Sequence, residues 1–76
     1  MTTEQIIQTY SDQINRFIYT LKTEVLIPQT AAFAYYAKYV IKQAKADGFY
    51  TNLIDTDELA AYMAKKYKDE REEHHE

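Results

Sequence analysis

The chain has 76 residues, no cysteine and a formal net charge of −3. Its length allows one domain at most, and its composition, with 46% hydrophobic and 28% charged residues, is that of an ordinary globular chain. The lack of cysteine excludes disulfides and thiolate metal sites, and no apolar run approaches the roughly 18 residues that a membrane span needs.

The first predicted element is a helix over about residues 3–24. Thr2 and Gln5 have the spacing of a capping box, in which the two residues bond each other's backbone N–H groups. Beyond them, apolar residues recur every three or four positions, which is the period of one helix face. These residues are Ile7, Tyr10, Ile14, Phe17, Ile18, Leu21 and Val25. The unbroken period predicts one continuous helix with a single buried stripe.

The second predicted helix covers about residues 28–47. Pro28 suits the first turn of a helix, where a missing N–H costs nothing, and Gly48 suits the position just past a helix end. The residues between them are rich in alanine and lysine, which are good helix formers. Because few residues separate the first two helices, we expect them to form an antiparallel hairpin.

The third predicted helix covers about residues 56–70. Asp55 is placed to cap it, and Glu58 is placed to accept a hydrogen bond from the Asp55 N–H. Lys66 interrupts the apolar face of this helix, so its last turns are expected to leave the core. The connection before it, FYTNLI, is unusually apolar. We expect its apolar side chains to close the end of the bundle: Phe49, Leu53 and Ile54.

Together these signals predict an all-α fold, a small three-helix bundle that forms a single domain over residues 1–70. The last residues, 71–76, are acidic and lack an apolar anchor, so we predict a frayed tail. A domain this small has a limited core, and the absence of cysteine leaves a partner subunit as the common route to added stability.

The second helix carries one apolar face more than a simple three-helix bundle needs. On a helical wheel, Phe33 and Val40 belong to one side, while Tyr35 and Tyr39 lie nearly opposite. Tyrosine is enriched at contact surfaces, where its ring is buried and its hydroxyl stays bonded. The residues predicted to bind a partner are Tyr35, Tyr39, Lys38, Lys42, Ala31 and Ala32. The alternative is that the third helix packs across Tyr35 and Tyr39 as ordinary core.

Other kinds of site find less support. Lysines beside tyrosines fit phosphates and unpaired bases, but the net negative charge and the acidic end, DEREEHHE, oppose nucleic-acid binding. His74 and His75 do not supply the four ligands of a structural zinc site. No nucleophile with an adjacent base can be assembled, since Ser11 is the single serine and both histidines lie in the tail. We expect no catalytic residue, no metal and no cofactor.

The predicted function is therefore a non-catalytic protein-binding module, either an adaptor or an inhibitor of a larger protein, with a homodimer as the expected form of self-association. A small nucleic-acid-associated regulatory protein is the alternative. Short helical chains rich in isoleucine, lysine and tyrosine are typical of phages and mobile elements, and such an origin is expected here. The first ten residues lack the features of a signal peptide, so we expect a cytoplasmic protein without membrane contact.

Overall fold

The fold is all-α, as predicted. A computed structural model describes residues 1–24 and 30–73, and in this part of the chain it contains four helices rather than the predicted three. The helices are α1 (Thr3–Thr9), α2 (Ser11–Thr23), α3 (Thr30–Ala46) and α4 (Thr56–Glu73). The predicted start of the second helix at Pro28 lies outside the described residues.

The extra helix arises because the first predicted helix is divided at Tyr10. The backbone of this residue has φ −109° and ψ 26°, well away from the helical values of about −63° and −42°. Hydrogen bonds still run through the bend, from Tyr10 N to Ile6 O and from Ile14 N to Tyr10 O, both at 3.0 Å. The Tyr10 hydroxyl donates to Asp47 Oδ2 at 2.6 Å. The bend is thus tied to the end of α3, a contact that helical periodicity does not encode.

The capping box predicted at the start of the chain is confirmed. Gln5 N donates to Thr2 Oγ1 at 3.2 Å, and Thr2 N donates to Gln5 Oε1 at 2.8 Å. Two of the N–H groups that a helix start leaves without intrahelical partners are satisfied in this way.

The end of α3 also follows the sequence prediction. Gly48 has φ +97°, a left-handed conformation that glycine adopts without steric cost. Gly48 N donates to Lys45 O at 3.1 Å, and Phe49 N donates to Ala44 O at 3.0 Å. This pair of bonds is a Schellman motif, which satisfies the last carbonyls of the helix.

The start of α4 departs from the prediction in one bond. Asp55 caps the helix as expected, because its Oδ1 accepts from Asp57 N at 2.9 Å and from Glu58 N at 3.2 Å. The Asp55 N–H does not bond the Glu58 carboxylate; it donates to Thr3 Oγ1 at 2.9 Å. A tertiary contact has therefore replaced the local half of the capping box. The helix also ends three residues later than predicted, at Glu73.

The core is formed by one side of every helix. Its buried members are Ile6, Ile14, Ile18, Leu21, Phe33, Ala37, Val40, Ala44, Leu59, Met63 and Tyr67. Tyr67 lies after Lys66 and is buried, so the apolar face of α4 continues past Lys66. Beyond Tyr67, the side chains of Lys68, Asp69 and Arg71 are exposed, as expected for the last turns of this helix. Ile6, rather than the half-buried Ile7, provides the fully buried side chain of α1. Val25 lies outside the described residues.

Of the helix pairs, α3 and α4 have the most extensive contact. α2 contacts α3 through aromatic rings: Phe17 stacks on Tyr36, with ring centroids 4.0 Å apart and planes 1° from parallel. Phe17 also meets the edge of Phe33 at 6.2 Å. Such ring pairs contribute about 0.5–1.5 kcal/mol beyond the burial of their area.

The prediction that Phe49 and Leu53 close the end of the bundle is wrong. Phe49 is 43% exposed and Leu53 is 65% exposed, while Ile54 packs against the core. The main chain of this connection is held by the start of the chain: the Met1 amino group donates to Tyr50 O at 2.7 Å, and an isolated β-bridge pairs Leu53 with Thr2. The connection is held by its backbone, and the side chains of Phe49, Tyr50 and Leu53 are exposed.

Candidate protein-binding surface

The side of α3 that points away from the core carries both of the predicted tyrosines. Tyr35 is 76% exposed and Tyr39 is 48% exposed, whereas Phe33 and Val40 on the opposite side are buried. No helix in the described residues covers Tyr35 or Tyr39, so the alternative that places them in the core is wrong. We call this surface the α3 outer face, and its exposed members are Ala31, Tyr35, Lys38, Tyr39, Lys42, Lys45 and Ala46.

The sixth residue of the predicted set lies at the margin of this face. Ala32 is half-buried, whereas Ala31 is exposed. At 100° per residue, Ala32 is turned toward the side of the helix that Tyr36 occupies, and Tyr36 stacks on α2. The structure therefore brings five of the six predicted residues onto one exposed surface and leaves Ala32 at its border.

The two tyrosines differ in how firmly they are held. The ring of Tyr39 contacts the ring of Tyr36 at a centroid distance of 5.6 Å, and Tyr36 in turn stacks on Phe17. The Tyr36 hydroxyl donates to Gln13 O at 3.3 Å. Burial, followed by the nearby Tyr39, raises the pKa of Tyr36 above its ordinary value, so its hydroxyl stays protonated and able to donate. Tyr39 is thus supported by the core, whereas Tyr35 extends into solvent.

The charge of α3 is of one sign. The helix contains Lys38, Lys42 and Lys45 and no acidic residue. None of these lysines forms an ion pair with a side chain described by the structure, where the ion pair found joins Lys22 Nζ to Glu70 Oε1 at 3.4 Å. Seven residues of helix rise about 10 Å, so the three ammonium groups mark a short basic strip beside the tyrosines.

A second exposed surface lies at the end of the bundle, and sequence reasoning missed it. Three large side chains are exposed here, Phe49, Tyr50 and Leu53, with Tyr50 64% exposed. Next to them, the first turn of α4 exposes Asp57 and Glu58. A shallow depression runs along this region, lined by residues 52–57. We call the five named residues the acidic end surface. In the sequence, this surface could be recognised only from the apolar residues of FYTNLI, and apolar side chains favour a buried interpretation.

A further depression between α2 and α4 does not combine its residues into a site. Its lining mixes acidic and basic side chains around Tyr19, which is 64% exposed. The other lining residues are Asp12, Asn15, Arg16, Lys66 and Glu70. Glu70 Oε2 is buried without a hydrogen-bond partner, while its Oε1 faces Lys22. The contact that joins the two helices here is the Lys22–Glu70 ion pair.

The described part of the chain offers no cluster of metal-binding side chains. Residues 1–24 and 30–73 contain no group of three or more His, Cys, Asp or Glu side chains that could hold a metal ion. The carboxylate of Asp55 is occupied by its capping bonds. His74 and His75 lie outside the described residues. None of the helices described is both long enough and apolar enough to cross a membrane.

No protein-family model, curated protein or solved structure matches this chain. Its function is therefore inferred from the chemistry of its own surfaces, of which the α3 outer face is the one that both the sequence pattern and the exposure of the side chains single out.

Proposed function

We propose that this chain is a non-catalytic protein-binding module that acts through the α3 outer face. The observation that carries the proposal is the exposure of Tyr35 and Tyr39 on the side of α3 opposite to the core, beside lysines that form no ion pair with the described side chains. Exposed aromatic side chains that stand together are the groups that most often dominate the binding energy of protein interfaces. An adaptor or an inhibitor of a larger cytoplasmic protein is the role that we propose.

The support of Tyr39 by Tyr36 favours binding in energetic terms. A side chain that is already held in place loses less conformational freedom when a partner covers it, and immobilising a flexible side chain costs about 0.5–1.5 kcal/mol. Tyr39 has that advantage because its ring rests on a ring that is stacked in the core. Tyr35 is free to adapt to the partner. The face therefore offers one preorganised contact and one adaptable contact, one helical turn apart.

The distribution of charge favours a protein over nucleic acid as the partner. Three of the nine basic residues lie in α3, so the rest of the chain has six basic residues against twelve acidic ones. A nucleic acid presents phosphates along its whole length, and those beyond the short basic strip would meet this acidic remainder. A protein partner can place a few acidic groups opposite this strip without carrying negative charge along the rest of the contact.

The proposal is tested by immobilising the chain, passing a cell lysate over it and identifying the retained proteins by mass spectrometry. Wild type, the double variant Tyr35→Ser/Tyr39→Ser and the control Tyr19→Ser are compared, because Tyr19 is a similarly exposed tyrosine on α2. We expect wild type and the control to retain the same protein, and the double variant to lose it. All three should show the same helical circular dichroism, since the changes are made at exposed positions.

Two results would contradict the proposal. If the double variant retains the same protein as wild type, the α3 outer face is not the binding surface. If all retained material is nucleic acid that is removed by nuclease, with affinity that falls steeply as salt rises, the chain is a nucleic-acid-associated protein.

A further inference from the structure

Two exposed surfaces of the chain are chemically complementary. The α3 outer face combines tyrosines with lysines, and the acidic end surface combines Tyr50 and Leu53 with the carboxylates of Asp57 and Glu58. The charged side chains of the two surfaces have opposite signs, although the Met1 amino group, which donates to Tyr50 O, adds a positive charge beside the acidic end surface. If the α3 outer face binds protein, as proposed above, then a second copy of this chain carries a surface that suits it.

Pairing of two α3 outer faces with each other is disfavoured by charge. Such a symmetric contact would bring six lysines together, because each copy contributes Lys38, Lys42 and Lys45 and α3 contains no acidic residue. Like charges that are placed together in an interface oppose association strongly. Charge therefore disfavours a homodimer that uses this face on both sides, whereas a contact between unlike surfaces has no such penalty.

We propose that the acidic end surface of one copy binds the α3 outer face of the next. In this contact the tyrosines of α3 cover the apolar side chains of the connection, and the lysines meet Asp57 and Glu58. Asp55 keeps its capping role, since its carboxylate already accepts two backbone hydrogen bonds. The contact is heterologous: every copy that binds through one surface leaves its other surface free.

This arrangement determines how the assembly grows. Unlike a symmetric dimer, a head-to-tail contact continues to add copies until a ring closes, and otherwise forms open chains. Both surfaces are small, so the contact belongs to the weak class of interfaces. It also depends on charge pairs at an accessible surface, which salt screens. The average mass should therefore rise with protein concentration and fall with salt.

The experiment uses two variants that each lack one surface. The face variant carries Lys38→Glu and Lys42→Glu, and the end variant carries Leu53→Ser, Asp57→Asn and Glu58→Gln. All five positions are exposed, and circular dichroism with urea unfolding establishes that both variants are folded. Sedimentation equilibrium gives the average mass of wild type, of each variant and of their equimolar mixture.

The chain has a mass of 9.0 kDa, and we expect each variant alone to remain at that mass. The mixture should form a one-to-one dimer that grows no further, because the intact end of the face variant binds the intact face of the end variant. The average mass of wild type should rise between about 10 μM and about 1 mM, the range of weak association, and should exceed that of a dimer at the upper end. Raising salt from about 0.05 M to about 0.5 M should weaken the association by about tenfold or more.

Three outcomes overturn the inference. The first is a wild type that is monomeric throughout this range. The second is a wild-type dimer that the end variant preserves and the face variant abolishes, which would mean that two α3 faces pair. The third is a mixture of folded variants that stays monomeric. In each case the capture experiment with its Tyr19→Ser control still decides the proposed function, because it measures binding to a different protein.

Discussion

Thr3 joins the start of the chain to the start of α4 through its side-chain hydroxyl, and replacing it with valine removes this link alone. The residue is 6% exposed, and its Oγ1 accepts the N–H of Asp55 at 2.9 Å. Valine has nearly the same shape as threonine, so the packing around position 3 is kept. What changes is that the half-buried N–H of Asp55 loses its partner.

Two substitutions separate the contribution of the Thr3 hydroxyl from that of its methyl group. Leaving a fully buried N–H without a partner costs about 1–3 kcal/mol, and because the Asp55 N–H is only half-buried, Thr3→Val should cost about 1–2 kcal/mol. Thr3→Ser keeps the hydroxyl and removes one methyl group, for an expected cost of about 0.8 kcal/mol. The valine variant should thus be the less stable of the two, even though valine is the more hydrophobic residue.

Urea unfolding followed by circular dichroism measures both costs. For a chain of this size the free energy of unfolding changes by about 1 kcal/mol per molar urea, so Thr3→Val should lower the midpoint by about 1 M or more. A valine variant as stable as the serine variant would refute the reasoning. Glu58→Ala provides the control, because the Glu58 carboxylate is placed to accept the Asp55 N–H once Thr3 Oγ1 is removed. If the Glu58 carboxylate takes over this hydrogen bond, the cost of Glu58→Ala will be larger in the valine variant than in wild type.

Three further predictions concern the core, the turn after α3 and the bend. Ile14→Ala should cost about 2–5 kcal/mol, because its side chain is 1% exposed, whereas Ile7→Ala should cost less; urea midpoints compare them. Gly48→Ala should cost about 1–2 kcal/mol through φ +97° alone, since the added Cβ meets no atom within 4 Å, and thermal unfolding measures this. Burial, with the bond to Asp47, raises the pKa of Tyr10 to about 12. Its contribution to stability is therefore present below pH 10 and lost as pH rises toward 12, and Tyr10→Phe should remove this part of the alkaline loss in unfolding measured at pH 9 and pH 11.

The features that the sequence predicted correctly depend on residues close together in the chain. The capping box of Thr2 and Gln5 and the cap at Asp55 each involve positions two or three residues apart. The left-handed Gly48 needs only its own missing side chain. Local signals of this kind are written in the order of the residues, so they can be recognised without the tertiary structure.

The features that were missed depend on distant partners. The bend at Tyr10 is tied to Asp47, and the Asp55 N–H is taken by Thr3, across 37 and 52 positions of the chain. The same distinction applies to the candidate surfaces. The helical wheel placed Tyr35 opposite the core, but whether another helix covers it depends on how α4 packs. The outward direction of Leu53 depends on its backbone pairing with Thr2.

The close packing of α3 on α4 has a consequence for the order in which the chain folds. These helices are joined by a short connection, so their contacts form at little cost in loop entropy. The bonds that attach α1 and α2 to α4 span much longer stretches, as in Lys22 with Glu70, and the contact of α2 with α3 is much less extensive than that of α3 with α4. We expect the hairpin of α3 and α4 to be structured in the folding transition state, with α1 and α2 docking afterwards. Destabilising changes in the hairpin would then slow folding, while changes in α1 would mainly accelerate unfolding.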